Sequence, residues 1–315
     1  MKKGVLLINL GTPAAPTATA VRPFLHRFLG DPRVINTPRA IWLPILNLMI
    51  LPKRPAASAA KYKQIWSKDH GSPLDYYTKR QTAQLQALLP DYRVDYAYSY
   101  SHPLISEGLQ KMADAGVSQL TIIPLYPQYS TTTIGSVMDD INRFYYRRAH
   151  IPELHLISGF ADRADYLDLL AGKIQQELDQ DDYDQVVMSY HGIPISYVQN
   201  GDPYPQQCQA TTAGVKARLK TKVPVIQTYQ SKFGPAQWLT PATDATMKAL
   251  PGKGVKRVLV VSPAFVADCL ETLQELDVEN RAYFLDNGGQ HFKLVPCFND
   301  DPAFTKVLAQ IVSGK

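Results

Sequence analysis

The chain has 315 residues, 45% of them hydrophobic and 19% charged, with a formal net charge of +5. This is an ordinary globular composition, long enough for two domains or one two-lobed unit, and its mildly positive balance suits an anionic ligand or an anionic surface. No dense Lys/Arg run with interleaved aromatics occurs, so nucleic-acid binding is not expected. Three widely spaced cysteines, Cys208, Cys269 and Cys297, support neither a disulfide framework nor a four-cysteine metal cluster and point to a cytoplasmic setting.

In chain order, Gly4–Leu10 is an apolar run of strand length that ends in Gly11-Thr12-Pro13. The N-terminus enters this strand too early, and with too short an apolar run, for a signal peptide. A helical period covers Ala18–Leu29. The most lipophilic stretch, Ile41–Pro52, is too short and too proline-interrupted to span a bilayer and reads as a greasy lip. Helices are expected at Ala57–Ser67 and Leu74–Leu89, a strand at Val94–Ser99, a helix at Ser106–Ala115, a strand at Gln119–Leu125 and a helix at Thr133–Arg147. The alternation then resumes, with strands at Leu154–Ile157, Gln185–Tyr190, Val225–Tyr229, Arg257–Val261 and Phe292–Val295. Helices are expected between and after them at Ala164–Leu178, Gln206–Leu219, Thr243–Leu250, Leu270–Leu285 and Ala303–Val312. Strand–helix alternation throughout predicts an α/β protein. The expected fold is two Rossmann-like, doubly wound parallel-sheet halves, residues 1–160 with the lip at 41–52 and residues 161–315, flanking a central cleft. Neither half carries a G-x-G-x-x-G or Walker loop, so a nucleotide is not indicated.

Two stretches carry most of the chemistry. In Gln185-Val-Val-Met-Ser-Tyr-His-Gly-Ile-Pro194 a buried strand is broken by Gly192 and Pro194 directly after His191. Ligands collect at the carboxyl ends of strands in open α/β sheets, so this histidine reads as a metal ligand or a base, against a purely structural role. The second stretch also leaves a strand end and places Asp268, Glu271, Glu275 and Glu279 at spacings of three, four and four. On a helix these share one face. The alternative is a solvated acidic face, but the apolar entry Pro263-Ala-Phe-Val-Ala267 favours a cleft. One imidazole with carboxylates suits a divalent ion such as iron(II), in an open site with fewer than the four protein ligands of a structural one.

Three further segments are less decisive. The hydroxyl-rich run Leu125–Ser136 reads as a helix cap or an anion site. A further set is Arg54 and Ser72 with Tyr98 and Tyr100, in which Arg54, next to the apolar lip, suits a flat hydrophobic ligand with acidic tails or is a plain surface charge. The loop Tyr229–Pro241 brings Phe233 and Trp238, which wall a planar ligand or pack on the core.

Taken together, Leu10-Gly-Thr-Pro13, Gly71-Ser-Pro73, Leu125-Tyr-Pro-Gln-Tyr-Ser130, Ser189-Tyr-His-Gly-Ile-Pro194, Gly201-Asp-Pro-Tyr204, Gln230-Ser-Lys-Phe-Gly234 with Trp238-Leu239, and Phe265-Val-Ala-Asp-Cys-Leu-Glu-Thr-Leu273 resemble the ferrochelatases, which insert iron(II) into a porphyrin in haem synthesis. The motifs run from end to end and are most similar to the proteobacterial protoporphyrin type. The resemblance implies that His191 and Glu271 are the catalytic and iron-site pair, with Asp268, Glu275 and Glu279 forming a proton or iron path. It implies porphyrin contacts at Leu10, Arg54, Ser72, Tyr100, Trp238 and Phe265, and a lip through which porphyrin enters, in peripheral contact with a membrane. Some relatives carry an arginine where this chain has Ser99, so one polar porphyrin contact is missing. Animal members hold a [2Fe–2S] cluster on four cysteines; with three cysteines in this chain, no cluster and no tightly bound cofactor are expected, and Fe(II) is a substrate.

The implied reaction is iron insertion into protoporphyrin IX, driven by macrocycle distortion and loss of two pyrrole protons. Its rivals are insertion into coproporphyrin III, a non-catalytic tetrapyrrole-binding protein, and a chelatase acting on sirohydrochlorin. The lip argues against the first, since a more acidic substrate needs less apolar surface. A sirohydrochlorin enzyme usually needs more than one site histidine, and here only His191 is well placed.

Overall fold

The apolar runs Val5–Ile8 and Val186–Met188 become parallel strands buried on both faces. The structure is a computed structural model describing residues 2–314. In the first unit, strands β1 (Lys3–Asn9), β2 (Tyr92–Tyr98), β3 (Gln119–Pro124) and β4 (Glu153–Leu156) form an all-parallel sheet in the order β2-β1-β3-β4. In the second, β5 (Gln185–His191), β6 (Val225–Gln230), β7 (Arg257–Val261) and β8 (His291–Leu294) repeat that order as β6-β5-β7-β8. Val5–Ile8 of β1 and Val186–Met188 of β5 are wholly excluded from solvent, as strands covered by helices on both faces require. The chain steps to one side of β1 and then to the other, and does the same about β5. The carboxyl ends of β1/β3 and β5/β7 are therefore the two topological switch points, where ligand crevices form in such sheets.

The first unit comprises residues up to Tyr126, Ser130–Gly159 and the chain from Asp300 onward; the second comprises Pro127–Tyr129 and Phe160–Asn299. The sequence expectation that residues 161–315 make one half is therefore revised at its end. Helix Pro302–Ser313 packs on helix Pro73–Leu88, burying Phe304, Leu308 and Ile311. Arg80 pairs with Asp300 at 3.1 Å, and Thr305 Oγ1 donates to Gln84 Oε1 at 2.7 Å.

Several helical stretches differ in kind from the sequence reading. The lip is helical, Arg39–Ile45 running into a π-type turn at Leu46–Ile50, and the short helix Ile195–Gln199 follows β5 where no element was expected. The acidic stretch is not one α-helix: Leu270–Asn280 is π-helical, with i→i+5 bonds, and only Arg281–Asp286 is α-helical. The Asn280 side-chain amide donates to the Glu275 carbonyl at 2.8 Å, spanning the same five residues. This helix is seated by Leu276, which joins Val187, Val258 and Val260 in the core of the second unit. Burial of such a side chain contributes about 1.5–3 kcal/mol. Among the described residues, no helix is long and apolar enough to cross a membrane.

Candidate active site

The second unit brings a histidine and two glutamates together at its switch point. His191 is the last residue of β5 and is half-buried. Its Nδ1 lies 2.7 Å from the carbonyl oxygen of Gly192. A carbonyl can only accept, so Nδ1 carries a proton, and in the neutral ring Nε2 is the nitrogen with the lone pair. The ring centroid of Phe265, in the segment leaving β7, lies 6.4 Å from that of His191. Ser262, the first residue after β7, donates to the Ser189 carbonyl at 3.0 Å and so ties the two strand ends together.

The acidic helix leaves from this same segment. Gln230, in register beside His191 on the neighbouring strand, accepts from Ser189 Oγ at 2.8 Å and donates through Nε2 to the Glu271 main-chain carbonyl at 2.8 Å. The next residue, Ser231, donates to both oxygens of Glu275, from its amide at 2.7 Å and its hydroxyl at 2.6 Å. Burial raises the Glu275 carboxyl above the ordinary glutamate range; the Ser231 hydrogen bonds and His191 pull it back, and the Glu271 charge pushes it up again. Glu275 is therefore more readily protonated than an exposed glutamate. Protonation of a carboxyl raised in this way favours the folded state, and that contribution is lost as pH rises through its folded value.

Not all of the predicted acidic stripe behaves alike. Asp268 is 6% exposed and held by the chain rather than presented. Its carboxylate accepts from Asn299 Nδ2 at 2.6 Å and Thr272 Oγ1 at 3.0 Å, while its own amide donates to Asn299 Oδ1 at 2.8 Å. Glu279 accepts from Gln274 Nε2 at 2.9 Å. Among the described residues, no group of three or more His, Cys, Asp or Glu side chains is arranged to hold a metal ion. The cysteines are all buried, and burial pushes each thiol well above its usual range.

Trp238 packs beside Gly192, the residue after the histidine. Its segment runs antiparallel to the one after β5, with Ile195 N donating to Gln237 O at 2.8 Å and Leu239 N to Ile193 O at 3.1 Å, and Trp238 Nε1 donates to Phe233 O at 2.9 Å. Gly192 makes this approach possible. A Cβ there would lie 2.9 Å from the Gln230 carbonyl oxygen and 3.1 Å from Trp238 Cε3. Gly192→Ala is accordingly expected to destabilise the protein by about 1–3 kcal/mol, as overpacked sites do, read from a denaturant midpoint with an unchanged m-value.

The other predicted contacts lie in the first unit. Leu10 follows β1 directly, its amide donating to Asn9 Oδ1 at 2.8 Å. Tyr100 is buried and donates to Asp31 Oδ2 at 2.8 Å; burial first and the Asp31 charge second hold its hydroxyl well above the usual phenol range. Ser72 is buried at the start of helix Pro73–Leu88, and partial burial lowers the Arg54 guanidinium from its ordinary value. Sequence reasoning missed the supporting residues Gln230, Ser231 and Asn299, although the first two fall within a quoted motif.

Two parallel-sheet units, with a histidine and carboxylates at a switch point, define an α/β protein of the chelatase class. Solved structures agree on the fold. SirB from Bacillus subtilis with Fe3+ matches with a TM-score of 0.58 at 12% identity, covering 100% of this chain and 98% of that one. CbiX, titled the terminal enzyme for biosynthesis of siroheme in denitrifying bacteria, matches with a TM-score of 0.53 at 14% identity, covering 99% of each. The family model described as Ferrochelatase matches residues 2–315. Among curated relatives, a coproporphyrin III ferrochelatase of Enterococcus faecalis is 45% identical over 99% of both chains. One of the same name from Lactococcus lactis subsp. lactis is 47% identical over 99% of this chain and 98% of its own. A ferrochelatase of Pectobacterium atrosepticum is 42% identical over 99% of this chain and 98% of its own. The chain belongs to the ferrochelatase family. It is thus an enzyme of haem and porphyrin biosynthesis, a lyase whose substrates are a porphyrin and a metal ion.

Proposed function

We propose that this protein inserts iron(II) into coproporphyrin III, with His191 Nε2 as acceptor of the pyrrole protons and Glu271 as the carboxylate that meets the metal. The observation that supports this reading best is the open Nε2 of His191 beside a glutamate, Glu275, whose buried carboxyl takes up protons readily. Insertion releases two protons as Fe²⁺ replaces two N–H groups, so each proton needs a fixed acceptor while the ion sheds water. In this reading His191 takes them in turn and hands them to Glu275, and Glu279 continues the route outward. Asp268, with its carboxylate engaged by Asn299 and Thr272, acts as an anchor of the acidic helix. Trp238 and Phe265 touch the macrocycle in this proposal, as do Leu10 and Tyr100, with Arg54 and Ser72 serving propionates. In this reading no resident iron–sulfur cluster takes part, because such a cluster is held by four cysteines and the sequence has three.

The choice of porphyrin rests on the names of the 45–47% identical relatives and on a net charge of +5, which suits a ligand with four propionates. A second reading, protoporphyrin IX, is favoured by the lip, where Ile41, Leu48 and Met49 are 57%, 77% and 66% exposed. Such an apolar surface suits a more lipophilic substrate delivered at a membrane. Anaerobic insertion assays on both porphyrins, followed optically, decide between them. The expected result is a kcat/KM at least about tenfold higher for coproporphyrin III, a difference of about 1.4 kcal/mol. A preference for protoporphyrin IX would reverse the assignment, and failure to metallate either would leave a binding protein.

A further inference from the structure

Among the described residues, three non-glycine residues have a left-handed backbone: Arg147, Ser231 and Asn299. Two of the three hold a carboxylate of the acidic segment. Asn299, at φ +53°, clasps Asp268, and Ser231, at φ +68°, clasps Glu275. L-residues other than glycine rarely adopt this conformation and do so at a steric cost, which persists where surrounding structure over-determines it.

We infer that Ser231 is a positioning residue, fixing the Glu275 carboxylate relative to His191 and Glu271 so that the acidic helix receives the metal in one orientation. This deepens the iron-insertion reading and rests on it. The geometry is specific. Ser231 uses both of its donors on one carboxylate, one for each oxygen, so Glu275 can neither rotate nor swing away without losing a bond. The preceding residue, Gln230, holds the main chain of Glu271 one turn earlier. Consecutive residues at the end of β6 thus fix two successive turns of the helix, and the first of them is paired in register with His191. Glycine would adopt φ +68° without steric cost and keep the amide donor, but it would lack the hydroxyl. The side chain at this position therefore works against local backbone preference while completing the grip on Glu275.

The separation of those two effects supplies the test. Ser231→Gly should fold at least as stably as the parent, with an equal or higher Tm, because it relieves the backbone while keeping one of the two bonds. In zinc insertion assays its KM for the metal should rise about tenfold, following the loss that supporting residues around a metal typically show. KM for porphyrin should stay within about twofold, a small fraction of the tenfold effect that 1.4 kcal/mol represents. Ser231→Asn tolerates the left-handed backbone and brings a donor amide, so it should recover part of the metal KM. A metal KM unchanged in Ser231→Gly overturns the inference, as does a loss of Tm that accounts for the lost activity. Absence of insertion by the parent protein would refute the iron-insertion reading itself, and this outcome is distinct from a parent and variant that work alike.

Discussion

Replacing His191 with alanine is expected to lower kcat for metal insertion by about 10²–10⁴-fold, the range that a positioned proton acceptor supplies. Porphyrin binding, followed by quenching of tryptophan fluorescence, should change little. His191 contributes to its surroundings one hydrogen bond, to the adjacent Gly192 carbonyl, and is only half-buried, so its removal leaves β5 and its neighbours in place. Val186–Tyr190, which seat the strand, are fully buried without it. A folded variant that retained near-parental turnover would remove His191 from the chemistry. The histidine would then be a strand-end residue that happens to face acids.

The second large effect is expected at Glu271. Glu271→Gln keeps the size of the side chain and leaves its main-chain carbonyl free to accept from Gln230, so the helix start should be unchanged. What is lost is the negative charge proposed to meet the divalent ion. The metal kcat/KM should fall by about 10–100-fold, at least as much as the loss of a supporting residue around a metal site. Glu279→Gln, at the outer end of the proposed route where the carboxylate already accepts from Gln274, is expected to cost less than Glu271→Gln. Equal, small effects at both positions would mean that the stripe is a solvated face and that iron enters elsewhere.

Much of this was legible in the sequence because the signals were local. Val186–Met188 followed by a histidine and then Gly192 and Pro194 is a strand that must stop, and the strand order then puts His191 at a switch point. Spacings of four keep glutamates to one side whether the helix closes its bonds over four residues or five, so the reading of a shared face does not depend on the unforeseen π-helical winding. The hidden features depend on partners distant in sequence. Asp268 looks like the head of the acidic column until Asn299, 31 residues away, claims its carboxylate. Nothing in the letters Gln230-Ser231 announces a left-handed serine bonded to a glutamate 44 residues on. Pro302–Ser313 has the apolar spacing of any amphipathic helix, and its spacing does not say which sheet it will cover.

That last helix has a consequence for how the chain is made. The second unit is almost an uninterrupted run, Phe160–Asn299, whereas the first needs the segment from Asp300 onward to cover helix Pro73–Leu88. Domains usually fold in the order they emerge from the ribosome, at about 5–20 residues per second. Here the order is partly inverted. Helix Pro73–Leu88 keeps an apolar flank open until the second unit has been synthesised, and the polypeptide then doubles back to close the layer it began with.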